Sequence, residues 1–153
     1  MRLTSFAFVS GSHVPVRFTC DGEDVSPPLA WTEPPASVQS FALICSDPDA
    51  PAGTWYHWTI YDIPPAMRSL DEHWQAADPR ARQTINDFGR KGYGGPCPPR
   101  GARAHRYVFR LYALNVARLN VGAQPRCPEV EAAAKTHAVA VAELLGLYAR
   151  GRH

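Results

Sequence analysis

The chain has 153 residues, of which 45% are hydrophobic and 20% charged, and its formal net charge is +2 at pH 7. This is the composition of an ordinary globular protein, and a chain of this length buries enough surface to fold without disulfides or metals. The small net charge and the lack of a recognisable nucleic-acid-binding motif weigh against a nucleic-acid partner, and no apolar run is long enough for a membrane-spanning helix. We predict one domain over residues 1–153, with at most peripheral membrane contact.

The charges are unevenly distributed along the chain. The segment from Phe88 to Pro128 contains eight Lys and Arg residues and no acidic residue, whereas residues 1–87 contain eleven of the fourteen acidic residues. Such a basic segment attracts anions, although a solvated basic face has the same composition.

The cysteines give a prediction about compartment. No CxxC pair occurs among the four, which are Cys20, Cys45, Cys97 and Cys127. Their spacing therefore indicates neither a zinc ribbon nor a thioredoxin-type redox motif. The N-terminal stretch MRLTSFAFVS lacks the long apolar core of a secretory signal. We predict four free thiols and a cytoplasmic protein.

Short apolar and β-branched runs predict a mostly β fold. In chain order, strands are expected at residues 5–10, 16–20, 40–45, 55–63 and 105–114. The run WYHWTIYDI, residues 55–63, is apolar on both faces, as in a central strand covered on two sides.

The pattern becomes helical near the end of the chain. The stretch PEVEAAAKTHAVAVAELLG, residues 128–146, is alanine-rich, begins with proline and glutamate, and ends at Gly146. We predict a helix there, with Val130, Ala134, His137, Val141 and Leu144 on one face. The segment 144–150 is expected to finish as a short strand, and a short helix is expected near residues 72–78.

The stretch CSDPDAPAGTWYHW, residues 45–58, places Asp47 and Asp49 two residues apart and follows them with His57. Pro48 and Pro51 disfavour helix in the residues before them, so this segment is an extended or turning ledge at the end of a strand. The pattern alone fits a catalytic pair, a metal site or the edge of a binding pocket.

A second segment, residues 86–107, combines glycines that permit close approach of a ligand with prolines that stiffen the chain. Its backbone N–H groups can form an anion-binding nest, although no P-loop sequence follows. Side chains alternate along strands, so His105 and Tyr107 share one face, and Trp55 and His57 share one face of theirs.

The motifs DVSPPLAW, SDPDAP, WYHWTIYDIP and GYGGPCPPRGARAHRYVFRLYAL closely resemble those of the phosphatidylethanolamine-binding proteins, most of all the bacterial Raf-kinase-inhibitor-like branch. The resemblance covers nearly the whole chain. It implies a β-sandwich with one C-terminal helix, short peripheral helices, and one small pocket for phosphate or a phospholipid head group. The residues that would line this pocket are Asp47, Asp49, Ala50, Pro51, His57, Gly95, Pro96, His105 and Tyr107.

The resemblance favours a binding protein that acts on a partner in the manner of a kinase or protease inhibitor, without catalytic residues, metal or cofactor. The alternative is a hydrolase that uses the same pocket. It would rely either on a metal held by Asp47, Asp49, His57 and His105 or on Cys97 as a nucleophile. A homodimer is left open.

Two histidines in an anion site also imply a pH dependence. With ordinary pKa values, His57 and His105 would become protonated as the pH falls from about 8 to about 6. Affinity for an anion should then rise over that range.

Overall fold

The computed structural model describes residues 1–151, and a six-stranded sheet dominates it. The strands in chain order are β1 (Arg2–Thr4), β2 (Ser12–His13), β3 (Leu29–Thr32), β4 (Ser40–Asp47), β5 (Trp55–Ile63), β6 (Ser69–Leu70), β7 (Arg82–Gln83), β8 (His105–Leu114) and β9 (Ala138–Tyr148). A 3₁₀ helix spans Val16–Phe18, and the helix α1 spans Cys127–His137. Neither helix is long and apolar enough to cross a membrane.

The sheets form a sandwich that carries one helix. The large sheet has the order β2-β9-β8-β4-β5-β7, and the small sheet has the order β1-β3-β6. Alternation along β4 directs Phe41 and Leu43 into the main core shared with the small sheet, and Ala42 and Ile44 into a second cluster beneath α1. The predicted mostly β sandwich with a C-terminal helix is confirmed.

The three predicted central strands are present. β4 extends the predicted strand at 40–45 by two residues, and β5 and β8 have the predicted bounds. All eight residues of β4 are buried, as expected for a strand covered on both faces.

The two strands predicted near the N-terminus are wrong. Residues 5–10 form a loop between β1 and β2, in which Phe6 is 94% exposed and has no sheet to pack against. Residues 16–20 begin with the 3₁₀ helix, where the N–H groups of Phe18 and Thr19 donate to the carbonyls of Pro15 and Val16. The Thr19 hydroxyl also donates to the Val16 carbonyl, which strengthens this turn over an extended chain.

The short helix predicted near residues 72–78 is also wrong, because this segment consists of bends and turns. His73 has a φ of 59°, which interrupts helical geometry. The Ser26 hydroxyl accepts from the Trp74 N–H, so the segment is held by a tertiary contact in place of a helical hydrogen bond.

The C-terminal helix ends at His137, nine residues before the predicted end at Gly146. From Ala138 the chain is extended and β9 pairs antiparallel with β8 along its whole length. In this strand Val139 and Val141 are exposed and Leu144 is buried, a strand alternation that the alanine content obscured. Val130 and Ala134 remain as the buried face of α1.

The prediction of four free thiols is wrong. Cys20 is joined to Cys97 by a disulfide that spans 77 residues of sequence, while Cys45 and Cys127 are free and buried. The Cys20 N–H donates to the Pro96 carbonyl over 3.1 Å, and this contact places the two cysteines side by side. Spacing in the sequence gave no sign of the pair. The disulfide is incompatible with Cys97 as a nucleophile, and it withdraws the thiol argument for a cytoplasmic location.

We expect thiol titration of the denatured protein, without reductant, to report two thiols, from Cys45 and Cys127. After full reduction the count should be four. A Cys20→Ser variant should give three without reductant, because Cys97 loses its partner. Four thiols in the unreduced wild type would contradict the disulfide.

Candidate functional site

A cavity of about 210 Å³ lies at one edge of the large sheet. Its lining comes from the end of β4 and the loop after it, from β5 and β8, and from two loops between β7 and β8. The lining residues are Asp47, Ala50, Pro51, Trp55, His57, Phe88, Cys97, Pro98, Pro99, His105 and Tyr107.

The register of the sheet explains why these residues meet. β4 pairs antiparallel with β5, where Asp47 lies opposite Trp55, and antiparallel with β8, where Ser46 lies opposite Val108. The end of β4 and the starts of β5 and β8 therefore lie next to one another, at the same end of these three central strands. Because side chains alternate, the pairs Trp55–His57 and His105–Tyr107 both face the cavity.

Asp47 and His105 form a buried pair within the lining. The His105 Nδ1–H donates to Asp47 Oδ2 over 2.7 Å, and the Asp49 N–H donates to Asp47 Oδ1 over 2.7 Å. Both Asp47 oxygens therefore have partners. Because a carboxylate only accepts hydrogen bonds, the proton of a neutral His105 sits on Nδ1, and its Nε2 is an acceptor.

His57 is fixed by the glycine-rich loop. Its Nδ1–H donates to the Gly94 carbonyl over 2.7 Å, and its own carbonyl accepts from the Gly94 N–H over 2.9 Å. The ring lies edge-on to Phe88 and to Tyr107, with centroids 5.2 Å away in each case. Burial lowers the pKa of His57, so at neutral pH the ring is uncharged and Nε2 accepts hydrogen bonds.

Two polar groups of the lining residues are buried without a hydrogen-bond partner in the described part of the chain: the Tyr107 hydroxyl and the Trp55 Nε1–H. Burial, and to a lesser degree the charge of Asp47, raises the pKa of Tyr107, so its hydroxyl keeps its proton. Leaving such a group unpaired costs roughly 1–3 kcal/mol. Both are donors that a ligand with acceptor oxygens would satisfy.

Asp49 is not among the lining residues. Its carboxylate accepts from the Arg106 N–H (2.9 Å), Nε (3.0 Å) and Nη2 (2.8 Å). The hydrogen bonds from the Arg106 side chain lower the pKa of Asp49 to about 2. The pair ties the loop that carries Ala50 and Pro51 to the start of β8, so Asp49 positions the cavity wall.

Gly95 and Pro96 also lie behind the lining. The Gly95 N–H donates to Asp24 Oδ1 over 2.7 Å, and the Pro96 carbonyl accepts from Cys20. A Cβ atom at Gly95 would lie 2.2 Å from the Phe18 carbonyl oxygen, so only glycine fits there. These residues hold the loop whose next residues line the cavity.

Four lining residues were not predicted from the sequence: Trp55, Phe88, Pro98 and Pro99. Cys97, predicted only as a nucleophile in the alternative function, also lines the cavity. The shared strand face already linked Trp55 with His57. Phe88 lies within the segment at residues 86–107, but its contact with the cavity depends on how its turn packs against β5, which the sequence does not show.

A metal site would require the acidic and histidine side chains to converge. Within residues 1–151, no group of three or more His, Cys, Asp or Glu side chains is arranged to hold a metal ion. Asp49 is engaged by Arg106, and each histidine has its Nδ1 committed to a protein oxygen.

The class is thus a β-sandwich with a small, partly polar cavity at the ends of the central strands of its large sheet. A sequence model described as phosphatidylethanolamine-binding protein matches residues 4–149. The chain belongs to the phosphatidylethanolamine-binding protein family, as its motifs predicted.

Relatives cover the same length. The UPF0098 protein of Methanothermobacter thermautotrophicus is 46% identical over 155 residues, covering 99% of this chain and 100% of that protein. The UPF0098 protein of Aquifex aeolicus is 44% identical over 152 residues, covering 98% and 89%. The crystal structure of Escherichia coli YbcL, described as a new member of the mammalian family, has a TM-score of 0.90 at 31% identity and covers 97% of both chains. Relatives occur in archaea and bacteria, so a bacterial origin stays a prediction.

The Asp49–Arg106 pair predicts a pH-dependent loss of stability. The lowered pKa of Asp49 means that its contribution is present above about pH 4 and is lost as the pH falls towards about 2. Because both side chains are partly exposed, we expect Asp49→Asn to lower the free energy of unfolding by only about 1 kcal/mol at neutral pH. Urea denaturation across this pH range would measure the difference.

The matched control is Asp71→Asn, at an exposed position without a salt bridge in the described structure. It should change stability little at any pH. A deficit in Asp49→Asn that stays constant down to about pH 2 would contradict the electrostatic origin of the effect.

Proposed function

We propose that this protein binds a small anion, or the phosphorylated head group of a phospholipid, in the cavity between Asp47, His57 and Tyr107. The observation that carries the proposal is the buried, unpaired Tyr107 hydroxyl, with the unpaired Trp55 Nε1–H on a second lining residue. Buried polar groups almost always have partners, so two orphaned donors at one cavity point to a ligand that supplies acceptors.

The size of the cavity limits the ligand. About 210 Å³ is below the roughly 300–1,000 Å³ of sites for drug-sized molecules. A phosphate or a phosphorylated amine fits this space, whereas an acyl chain would have to remain outside. Contact with a membrane would then be peripheral, through the head group alone.

The charges of the lining residues limit which chemical groups the ligand can carry. The lining includes no Lys or Arg, and Arg106 is engaged by Asp49. His57 presents an acceptor at neutral pH, beside the donors of Tyr107 and Trp55. The site therefore suits a ligand that carries both acceptor oxygens and a donor, such as monohydrogen phosphate or phosphoethanolamine.

We extend the proposal to a partner protein. Phe88 lines the cavity and is 38% exposed, and Pro99 beside it is also exposed. A bound head group would change the surface that these apolar residues present. Ligand binding and partner binding would then be coupled at the mouth of the cavity, in the manner of a kinase or protease inhibitor.

We expect Tyr107→Phe to lower affinity for phosphoethanolamine about tenfold or more, because it removes one hydrogen bond to a charged ligand. The fold should keep its stability, since the lost hydroxyl has no partner in the described structure. Calorimetric titration and thermal denaturation would measure the two effects.

The matched control is Tyr112→Phe. Tyr112 lies on the same strand but packs in the second cluster, where its hydroxyl donates to Glu131 over 3.3 Å. Phosphoethanolamine affinity should be unchanged in this variant. Equal loss in both variants, or no loss in Tyr107→Phe, would overturn the site.

Sulfate affinity should change at a lower pH than it would if the histidines had ordinary pKa values. Burial lowers the pKa of His57 below the ordinary histidine value of about 6.5, so its protonation, which turns Nε2 into a charged donor, needs a lower pH than that of an ordinary histidine. The part of the affinity that depends on His57 should therefore rise mainly below about pH 6.5. This corrects the range expected from the sequence.

Sulfate titrations of the wild type and His57→Gln at several pH values would isolate that part, because sulfate keeps its charge over the range. The difference between the two proteins should widen mainly below about pH 6.5. A difference that is already complete above this pH would contradict a neutral His57.

A further inference from the structure

The Cys20–Cys97 disulfide lies at the wall of the candidate site. Cys97 lines the cavity, and the two residues that follow it, Pro98 and Pro99, line it as well. We propose that this disulfide is a redox-sensitive cross-link that holds the cavity wall in place, and that its reduction lowers the affinity of the site for phosphorylated ligands. The inference concerns regulation of the site and rests on the proposed function.

The chain up to Pro96 has other attachments that would survive reduction. The Tyr93 hydroxyl donates to the Phe18 carbonyl over 2.6 Å, and the Gly95 N–H donates to Asp24 over 2.7 Å. The Pro96 carbonyl accepts from the Cys20 N–H over 3.1 Å. Breaking the sulfur–sulfur bond therefore leaves this side of the cavity in place.

The chain beyond Cys97 has no comparable hydrogen bond to the rest of the fold, although Pro98 is buried. Between residues 98 and 104, the described structure shows one hydrogen bond, from the Ala102 N–H to the Pro99 carbonyl, and it lies within the segment itself. Sheet pairing resumes at His105, the first residue of β8. The disulfide and the start of β8 are thus the two fixed ends of this stretch of wall.

The disulfide is also accessible to a reductant in solution. Cys97 is exposed and Cys20 half-buried, whereas the free thiols of Cys45 and Cys127 are buried. A dithiol reductant attacks the Cys97 sulfur as a thiolate and releases Cys20 as the leaving thiolate. The second thiol of the reductant then displaces Cys97. Each cysteine takes one proton, and the reductant becomes a disulfide.

After reduction, residues 98–104 would line the cavity in only a fraction of the molecules, and this fraction determines the apparent affinity. A ligand that needs the wall in place binds more weakly in proportion to the fraction of molecules that have it there. If the released segment occupies that position about 10% of the time, the apparent dissociation constant rises about tenfold.

The test compares oxidised protein with protein reduced by dithiothreitol and then freed of reductant without oxygen. Calorimetric titration with phosphoethanolamine should show about a tenfold weaker affinity after reduction. Trypsin should cleave after Arg100 and Arg103 at least several-fold faster in the reduced form. Cleavage after Arg118, an exposed arginine in a different loop, reports general unfolding and should stay unchanged.

The matched control is the Cys20→Ser/Cys97→Ser double variant. It should bind and be cleaved like the reduced wild type, and dithiothreitol should have no effect on it. Faster cleavage at all three arginines would mean that the whole fold opens, which contradicts a local role of the disulfide cross-link. Unchanged cleavage at Arg100 and Arg103 overturns it as well.

The binding results separate this inference from the proposed function. Equal phosphoethanolamine affinity in oxidised and reduced protein overturns the inference and leaves the proposed function standing. Absence of phosphoethanolamine, phosphate and sulfate binding in the oxidised wild type overturns the proposed function and the inference together.

Discussion

The candidate site depends on one constraint, which is that β4 is hydrogen-bonded to a neighbouring strand on each side. Every residue of β4 is buried, so its backbone N–H and C=O groups need partners on both sides, and β5 and β8 supply them. Since both partners run antiparallel to β4, the end of β4 and the starts of β5 and β8 share one sheet edge. Residues far apart in sequence, such as Asp47 and His105, are brought within hydrogen-bond distance by this arrangement.

The hydrogen bonds within the site then decide which of these polar groups remain free to contact a ligand. Each Asp47 oxygen accepts a hydrogen bond, from His105 and from the Asp49 N–H, and the His57 Nδ1–H donates to the Gly94 carbonyl. The carboxylate is therefore structural in this geometry, and the free donors are the Tyr107 hydroxyl and the Trp55 N–H, beside the Nε2 acceptors of His57 and His105. This explains how an acidic residue can line the proposed anion site. Its charge is directed at a histidine that orders the wall.

The sequence predicted the central strands and the shared faces of the site because those features are local. The runs at 55–63 and 105–114 are long, apolar and β-branched, and alternation places their histidines. The end of α1 was misplaced because alanine is a strong helix former, so the alanine-rich stretch predicted helix beyond His137, whereas pairing with β8 makes that part of the chain a strand. The disulfide and the position of Phe88 were missed because both result from contacts between distant segments, which spacing does not record.

The glycines before the cavity have a physical role that differs from the one their composition suggested. A glycine-rich loop was expected to bring its backbone close to an anion. A Cβ at Gly94 would instead lie 2.5 Å from the Phe88 ring, and a Cβ at Gly95 would lie 2.2 Å from the Phe18 carbonyl. The missing side chains thus admit an aromatic wall on one side and the N-terminal turn on the other. Because that turn also carries Cys20, the same close packing that excludes a side chain at Gly95 brings the disulfide to the cavity. On this geometry, contacts with the proposed ligand would come from side chains on the strands, and the glycines would support the loop behind them.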